Sequence, residues 1–541
     1  MHNSWVSLVP PIIVILAIFI TKNINRSLII GILSAALIAA DFSLSSAGNL
    51  TFERSYDILT DVDTLYLYLF LFILGAIITL IAKTGGAYAL AHRLAQKKLS
   101  KKTTEYSSML VSALLSIDDY LSTLTVGYVM RPITDRVRIS RAKLAFLVHA
   151  MADGLIMLLP ISSWVTALTS TLDQSGITDH GATCKIVSDP FLLYVQTIPF
   201  IFYGIFTVLV VTLLVKTQLA FGPMARYEQI AQTSGNLFGK INHPAETADT
   251  EKHTGALTDL ILPLSLLIGI IILGSLWTGN YFLFGGSQGF LDAIKNNTQR
   301  ERSIIMCLAG TLSLIISWLF AALRKKVEKK SLPSLFVGSY KLMNSAIILI
   351  TLAGILGAIL RINLQTGTYL ADLLLGSLPL FLLPLIVFVV ALFLATITGS
   401  AFGSMMLLIP IIVPMLIALS GATIPASPEA LPLLLPVLGA IFSGAVCGNH
   451  ISPISDTTIM VSTSTGVDPA EHAKTQIPYA LIAIIASAIA FFLTGLLRGT
   501  GYWFNAGASL GIGALTCIVI IYAILLLQKQ AHKRSELQER H

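Results

Sequence analysis

Two proline-centred polar tetrads carry residues that could do chemistry inside an otherwise apolar chain. Pro160-Ile161-Ser162-Ser163 and Pro453-Ile454-Ser455-Asp456 each interrupt a long hydrophobic run. Proline removes a backbone donor and breaks a helix. The neighbouring hydroxyls, the carboxylate and the freed carbonyls are hard oxygen donors. They suit a small hard cation or the polar head of an organic ion. Ser452, Thr457 and Thr458 extend the second group, with Asn449 and His450 just upstream. A third polar interruption, Thr396-Ile397-Thr398-Gly399-Ser400, lies between them in another apolar stretch.

Carboxylates at bilayer depth strengthen this reading. Asp118, Asp119, Asp153 and Asp456 fall inside apolar runs, and each charged aspartate at a helix centre costs about 3 kcal/mol. Asp118 and Asp119 are adjacent, so on a regular helix they diverge by about 100°. Either the backbone unwinds and both reach one site, or one faces the site and backbone amides cap the other. His149 and Asp153 are four apart and share a helix face. They read as a proton-accepting pair, because histidine titrates near neutral pH, or as a hydrogen bond that braces a broken helix. Zinc is disfavoured, since His149, Asp153 and His450 have no ligand spacing. Ser462, Thr463 and Ser464 read as contacts between helices.

These residues need helices to hold them. The chain has 541 residues, 55% hydrophobic and 12% charged. That charge is too low for a soluble surface, and runs of about 20 apolar residues recur throughout. The fold class is an all-α polytopic membrane protein. The formal charge of +7 sits in short loops, where it sets orientation and does not signal nucleic acid. The four cysteines have no metal or disulfide spacing. The first apolar run, Trp5–Thr21, lacks the flanks of a cleavable signal peptide.

Loop charges predict the topology. Lys22 and Arg26 place a cytoplasmic loop after the first span, with the N-terminus outside, and the basic tail Lys529–Arg540 is cytoplasmic. Residues 1–220 form a first unit of five spans with a re-entrant hairpin at 105–130, whose basic flanks put both ends inside. One kinked span is the other reading of that segment. Residues 221–258 form a polar cytoplasmic linker. Residues 259–500 repeat the plan with a hairpin at about 380–420, and 501–541 hold the last span and tail. An odd number of crossings per half inverts the second copy. Two inverted-topology repeats with re-entrant hairpins and broken helices indicate a secondary transporter.

The segment ISPISDTTIMVSTSTGVDPAEHAKTQIPYAL resembles the signature of the NhaC-type sodium/proton antiporters. SIDDYLSTLTVGYVMRPITDRVRISRAKLAF and LLPISSW resemble that family's first-half signatures. The resemblance spans roughly residues 60–500. It implies alternating access, transported sodium and protons, no bound cofactor, usually a homodimer, and a bacterial inner membrane. Site roles carry over to Asp119, Ser162, Ser455, Asp456 and Thr457, with Asp456, Ser455 and Thr457 as expected sodium ligands. Two positions depart from the pattern. His149-Ala150-Met151 stands where the family has an aspartate-serine-threonine run, and Ile451 stands where it has cysteine. Relatives exchange organic acids or amino acids for cations, so cation- or proton-coupled transport of such a molecule is the alternative. An intramembrane aspartyl protease also needs two buried aspartates, but its Gly-x-Gly-Asp run is absent.

Overall fold

Serine, aspartate and asparagine caps divide the apolar runs into helices at the positions where polar residues interrupt them. The computed structural model describes residues 4–538 apart from 22, 87, 88, 90–99, 117, 161, 179–183, 240–254, 291, 292, 294–296, 298, 328–331 and 375–378. Among the described residues, ten helices are long and apolar enough to cross a membrane. The chain is a multi-pass membrane protein.

Helices α1 (Val9–Thr21) and α2 (Ile24–Ala39) pack against each other and meet at Asn23. At 1.5 Å per residue they are about 20 and 24 Å long, short of the ~30 Å hydrocarbon core. A 3-10 turn at Trp5–Leu8 runs directly into α1, so the helical run expected at Trp5–Thr21 is present, although α1 and α2 are each shorter than a full span. The Asn23 side chain accepts from Arg26 N at 3.1 Å and starts α2, and Ile24 fits against Gly403. The joint is thus held against the protein core, not set apart as a loop.

Next come α3 (Leu44–Thr60) and α4 (Val62–Thr84). The expected hairpin follows as α5 (Lys101–Leu115) and α6 (Asp119–Arg136). The span broken at Pro160 is α7 (Arg141–Ile156) and α8 (Ser163–Gln174). A two-stranded parallel ribbon, β1 (Ile177–Thr178) and β2 (Ile186–Val187), precedes α9 (Pro190–Thr197) and α10 (Phe202–Thr217). The described part of the linker holds α11 (Gly222–Ser234). Its Glu228 takes Lys101 Nζ at 2.5 Å and Ser140 N at 2.9 Å, and Tyr227 donates to Glu471 at 2.5 Å. The linker therefore ties the two parts of the chain together.

The second part begins with α12 (Thr258–Thr278), α13 (Gln299–Leu323) and α14 (Leu332–Ala358), which ends in a π turn at Ile359–Asn363. After α15 (Thr366–Leu374), the pair α16 (Leu383–Thr398) and α17 (Ala401–Ser420) repeats the hairpin. The broken pair α18 (Leu434–Ile451) and α19 (Asp456–Thr465) repeats the break. Helices α20 (Pro469–Leu496) and α21 (Tyr502–Gln538) finish the chain.

Three restarts use the same local device. Ser162, Ser400 and Ser455 cap α8, α17 and α19 by accepting from Val165 N (3.3 Å), Gly403 N (3.1 Å) and Thr458 N (3.0 Å). Each cap is worth about 1 kcal/mol. The halves then interlock. α19 packs on α6 and α7, and α8 packs on α17. Ser464 Oγ donates to Thr123 O at 2.8 Å where α19 crosses α6. Gly444 and Gly448 bring α18 onto the α16 backbone at Phe388 and Leu392, the close approach that small residues allow between membrane helices.

Candidate functional site

The breaks converge on one cavity of about 310 Å³. Five helix starts line it: Asn23 to Asn25 on α2, Asp118 and Asp119 on α6, Trp164 on α8, Ser400 on α17 and Asp456 on α19. Helix N-termini carry partial positive charge. Three carboxylates stand against that charge at the same place. α5 ends at Leu115 and α6 starts at Asp119, so the backbone departs from helix there and both Asp118 and Asp119 reach the lining. Both are nearly fully buried, whereas Asp456 is exposed to the cavity. Thr398 also lines it, and its Oγ1 accepts from Ser400 N at 3.1 Å.

The remaining predicted residues lie behind that wall. α19 turns about 100° per residue, so Asp456 faces the cavity while Thr457 faces the interior. Thr457 Oγ1 lies 3.0 Å from His149 Nε2 and accepts from Asn449 Nδ2 at 2.7 Å. His149 Nε2 is also 3.2 Å from Asp153 Oδ2, and Asn449 Nδ2 donates to that oxygen at 3.3 Å. Sequence spacing placed His149 beside Asp153, and the fold adds two residues from α18 and α19.

Ser455 and Ser452 hold the break together. Ser455 Oγ caps α19 and donates to Thr458 Oγ1 at 2.8 Å, and Thr458 Oγ1 donates to Ser452 O at 2.8 Å. Ser452 Oγ donates to Thr396 O at 2.8 Å, tying the break to the neighbouring hairpin. Ser162 is buried as the cap of α8. The side chain of Ser163 lies outside the described residues.

Four further residues join the buried network, and of these the sequence reading singles out only His450, just upstream of the second break. His149 Nδ1 is 2.9 Å from His472 Nε2 on α20. The His450 ring stands edge-on to His149 at 4.7 Å, and its Nδ1 takes a 2.6 Å bond with the Tyr203 hydroxyl. Gln476 Nε2 donates to His450 O. His472 and Gln476 sit four apart in the polar first turns of α20, just before its apolar run, a signal that could have been found. Tyr203 lies in an unbroken apolar run and gives none.

Asp153 Oδ1, Asn449 Oδ1, His450 Nε2, His472 Nδ1 and Gln476 Oε1 are buried with no hydrogen-bond partner among the described residues. An unsatisfied buried polar atom costs roughly 1–3 kcal/mol, so five together mark a site that has a use for them. Among the described residues no group of three or more histidines, cysteines or carboxylates is arranged to hold a metal ion. The cluster fits proton movement among imidazoles and carboxylate, one residue away from the carboxylate that faces the cavity.

Comparison with known proteins agrees with this architecture. The Na+/H+ antiporter family matches residues 155–496. An uncharacterised protein of Haemophilus influenzae is 29% identical over 532 residues, covering 96% of this chain and 95% of that one. A malate-2H(+)/Na(+)-lactate antiporter of Bacillus subtilis is 36% identical over 61 residues, 11% of this chain and 13% of that one. Neisseria gonorrhoeae MtrF, placed among antimetabolite efflux pumps, shares the fold at a TM-score of 0.52 and 18% identity, over 84% of this chain and 85% of that one. The Alcanivorax borkumensis YdaH transporter does so at 0.54 and 14%, over 86% and 90%. At these identities the two structures speak to fold alone.

Proposed function

Because the chain belongs to the Na+/H+ antiporter family, we propose that its central cavity exchanges sodium for protons by alternating access. The protein is a secondary transporter and not an enzyme, which sets aside the aspartyl protease. One observation carries the reading. Asp456 opens into a cavity shared with Asp118 and Asp119, and the next residue, Thr457, bonds His149. A carboxylate holds either a sodium ion or a proton, and that competition couples the two fluxes. Sodium is assigned to Asp456 with Asp118, Asp119 and Thr398. Ser455 and Thr457 then brace the site from behind. The test is calorimetric titration of sodium into purified protein. Sodium affinity should weaken as pH falls from about 8 to about 6, and an affinity independent of pH would contradict the competition.

His149 stands where the family has an aspartate, and in this reading it passes protons to the cavity through Thr457. His149→Gln keeps hydrogen bonding without titrating near neutrality. The expected result is a flatter transport profile between about pH 6 and 8. His149→Asp should strengthen sodium dependence. An unchanged profile in His149→Gln would leave the residue a brace for α7 through Asp153.

A second reading has its own support. Five helix starts face a cavity far larger than a bare sodium ion, and helix N-termini in transporters hold carboxylates. The Bacillus subtilis relative is named for malate and lactate. In that reading a small organic acid enters with or against the cation.

The matched order of hairpin and broken helix supports two inverted halves divided at the linker, in a bacterial inner membrane with the N-terminus outside and the tail in the cytoplasm. Single cysteines check the orientation. One at Asp57 should react with an impermeant thiol reagent from outside, and those at Lys326 and Arg534 only after permeabilisation. External labelling at 326 would reverse it.

A further inference from the structure

A second cavity, of about 320 Å³, shares no lining residue with the central cavity among the described residues. Lys185, from the ribbon before α9, and Arg361, from the π turn that ends α14, both line it. Gln365, Gly367 and Thr368, at the start of α15, close another side, and among the described residues no carboxylate is in the lining. We propose that this cavity is a binding site for a small oxyanion, a phosphate or carboxylate group, either free or on a lipid headgroup.

Charge pairing elsewhere in the chain makes the case. Lys101, Arg141, Lys143, Arg302 and Arg324 are partly or fully buried, and each meets a carboxylate within ion-pair distance. Arg361 and Lys185 meet none among the described residues, and Arg361 Nε is buried without a hydrogen-bond partner. The charges that act on Arg361 are Asp173, of opposite sign, and Arg54, of the same sign. Asp173 belongs to a different cavity, with Asp189 and Arg302. Burial, and then the Arg361 charge, hold the Lys185 ammonium below its usual value. Asp173 acts on Arg361 only from beyond ion-pair distance, so two cations share this cavity with no carboxylate of the described residues paired to either, and an anion between them relieves their repulsion.

The scaffold is fixed in advance. Lys185 N donates to Gly176 O and Lys185 O accepts from Ala426 N, both at 2.9 Å. Gly367 brings α15 so close to α17 that a Cβ there would lie 2.8 Å from Ile411 O. The first amides of a helix have no intrahelical acceptor, and those of Gly367 and Thr368 sit at this wall. A water in the liquid occupies about 30 Å³, so the volume takes an oxyanion with part of its hydration. Guanidinium suits such a group by its bidentate geometry.

The experiment uses the full chain in neutral detergent and follows thermal unfolding. Inorganic phosphate is titrated against sodium chloride at constant ionic strength. Phosphatidylglycerol is compared separately with phosphatidylcholine in mixed micelles. Wild type should show a saturable rise of about 2–4 °C with one of the two probes. Arg361→Gln should lose it and Arg361→Lys should keep part of it. Lys185→Gln, in a surface ribbon, gives the same test without touching a membrane helix. A rise with phosphate that both glutamine variants lose assigns a free oxyanion. A rise with phosphatidylglycerol alone, lost in the same way, assigns a lipid headgroup. Equal responses of wild type and Lys185→Gln to both probes would overturn the site.

Discussion

Asp456→Asn is expected to abolish sodium-coupled proton exchange while leaving the protein folded. The side chain is exposed to the cavity, so the change removes little packing. Its Oδ1 accepts from Thr457 N at 2.9 Å, a bond that an asparagine oxygen can keep. Substitutions of this kind usually move stability by no more than about 0.5 kcal/mol. The negative charge is lost, however, and in the proposed exchange that charge is both the electrostatic hold on sodium and the proton acceptor. Losing a charged contact worth about 3 kcal/mol corresponds to a hundredfold or greater loss of exchange. Flux in proteoliposomes, beside thermal unfolding in detergent, separates the two effects. Exchange within twofold of wild type would take Asp456 out of the mechanism.

Gly399→Val should be nearly as damaging, for a steric reason. Gly399 ends α16 with φ of 66°, in the left-handed region, and a Cβ there would lie 2.8 Å from Ile454 O and 3.2 Å from Ser455 Cα. The tip of the hairpin thus rests directly on the break that presents Asp456. A left-handed β-branched residue costs about 1–2 kcal/mol, and overlap in a packed region adds roughly 1–3 kcal/mol. The hairpin must lift, and the cavity wall moves with it. We expect a clear fall in unfolding temperature and at least a tenfold loss of exchange. Gly421→Ala is the control. Gly421 also ends a helix with φ of 62°, but nothing lies within 4 Å of its missing Cβ. It should lose about 1 kcal/mol of stability and keep transport. If Gly399→Val transports as well as that control, the docking of the two breaks does not matter to function.

The breaks were legible because their chemistry is local. Proline, glycine and a capping serine end one helix and start the next wherever they fall, so the interruptions at Pro160, Gly399 and Pro453 could be read directly. Asp118, Asp119 and Asp456 were legible because a carboxylate in an apolar run is costly. The N-terminal pair was not. Lys22 and Arg26 beside an apolar run look like an interfacial loop, and only the packing of Ile24 on Gly403 brings Asn23 and Asn25 to the cavity. The direction of each side chain around the second break was also hidden. Asp456 and Thr457 are neighbours in sequence, yet the docking of α19 on α6 and α7 decides which one meets the cavity and which meets His149. Tyr203 reaches His450 from a run with no polar signal, so tertiary structure alone could supply it. The short β1–β2 ribbon has too few residues to leave a pattern.

The central claim is that this cavity couples sodium to protons. The most direct test is a sodium gradient imposed across proteoliposomes that carry a pH-sensitive dye, with wild type and Asp456→Asn compared in parallel. The account predicts proton movement opposite to sodium in wild type and none above the lipid background in Asp456→Asn. Sodium and lithium gradients that move no protons in wild type, while a malate or lactate gradient does, would contradict it.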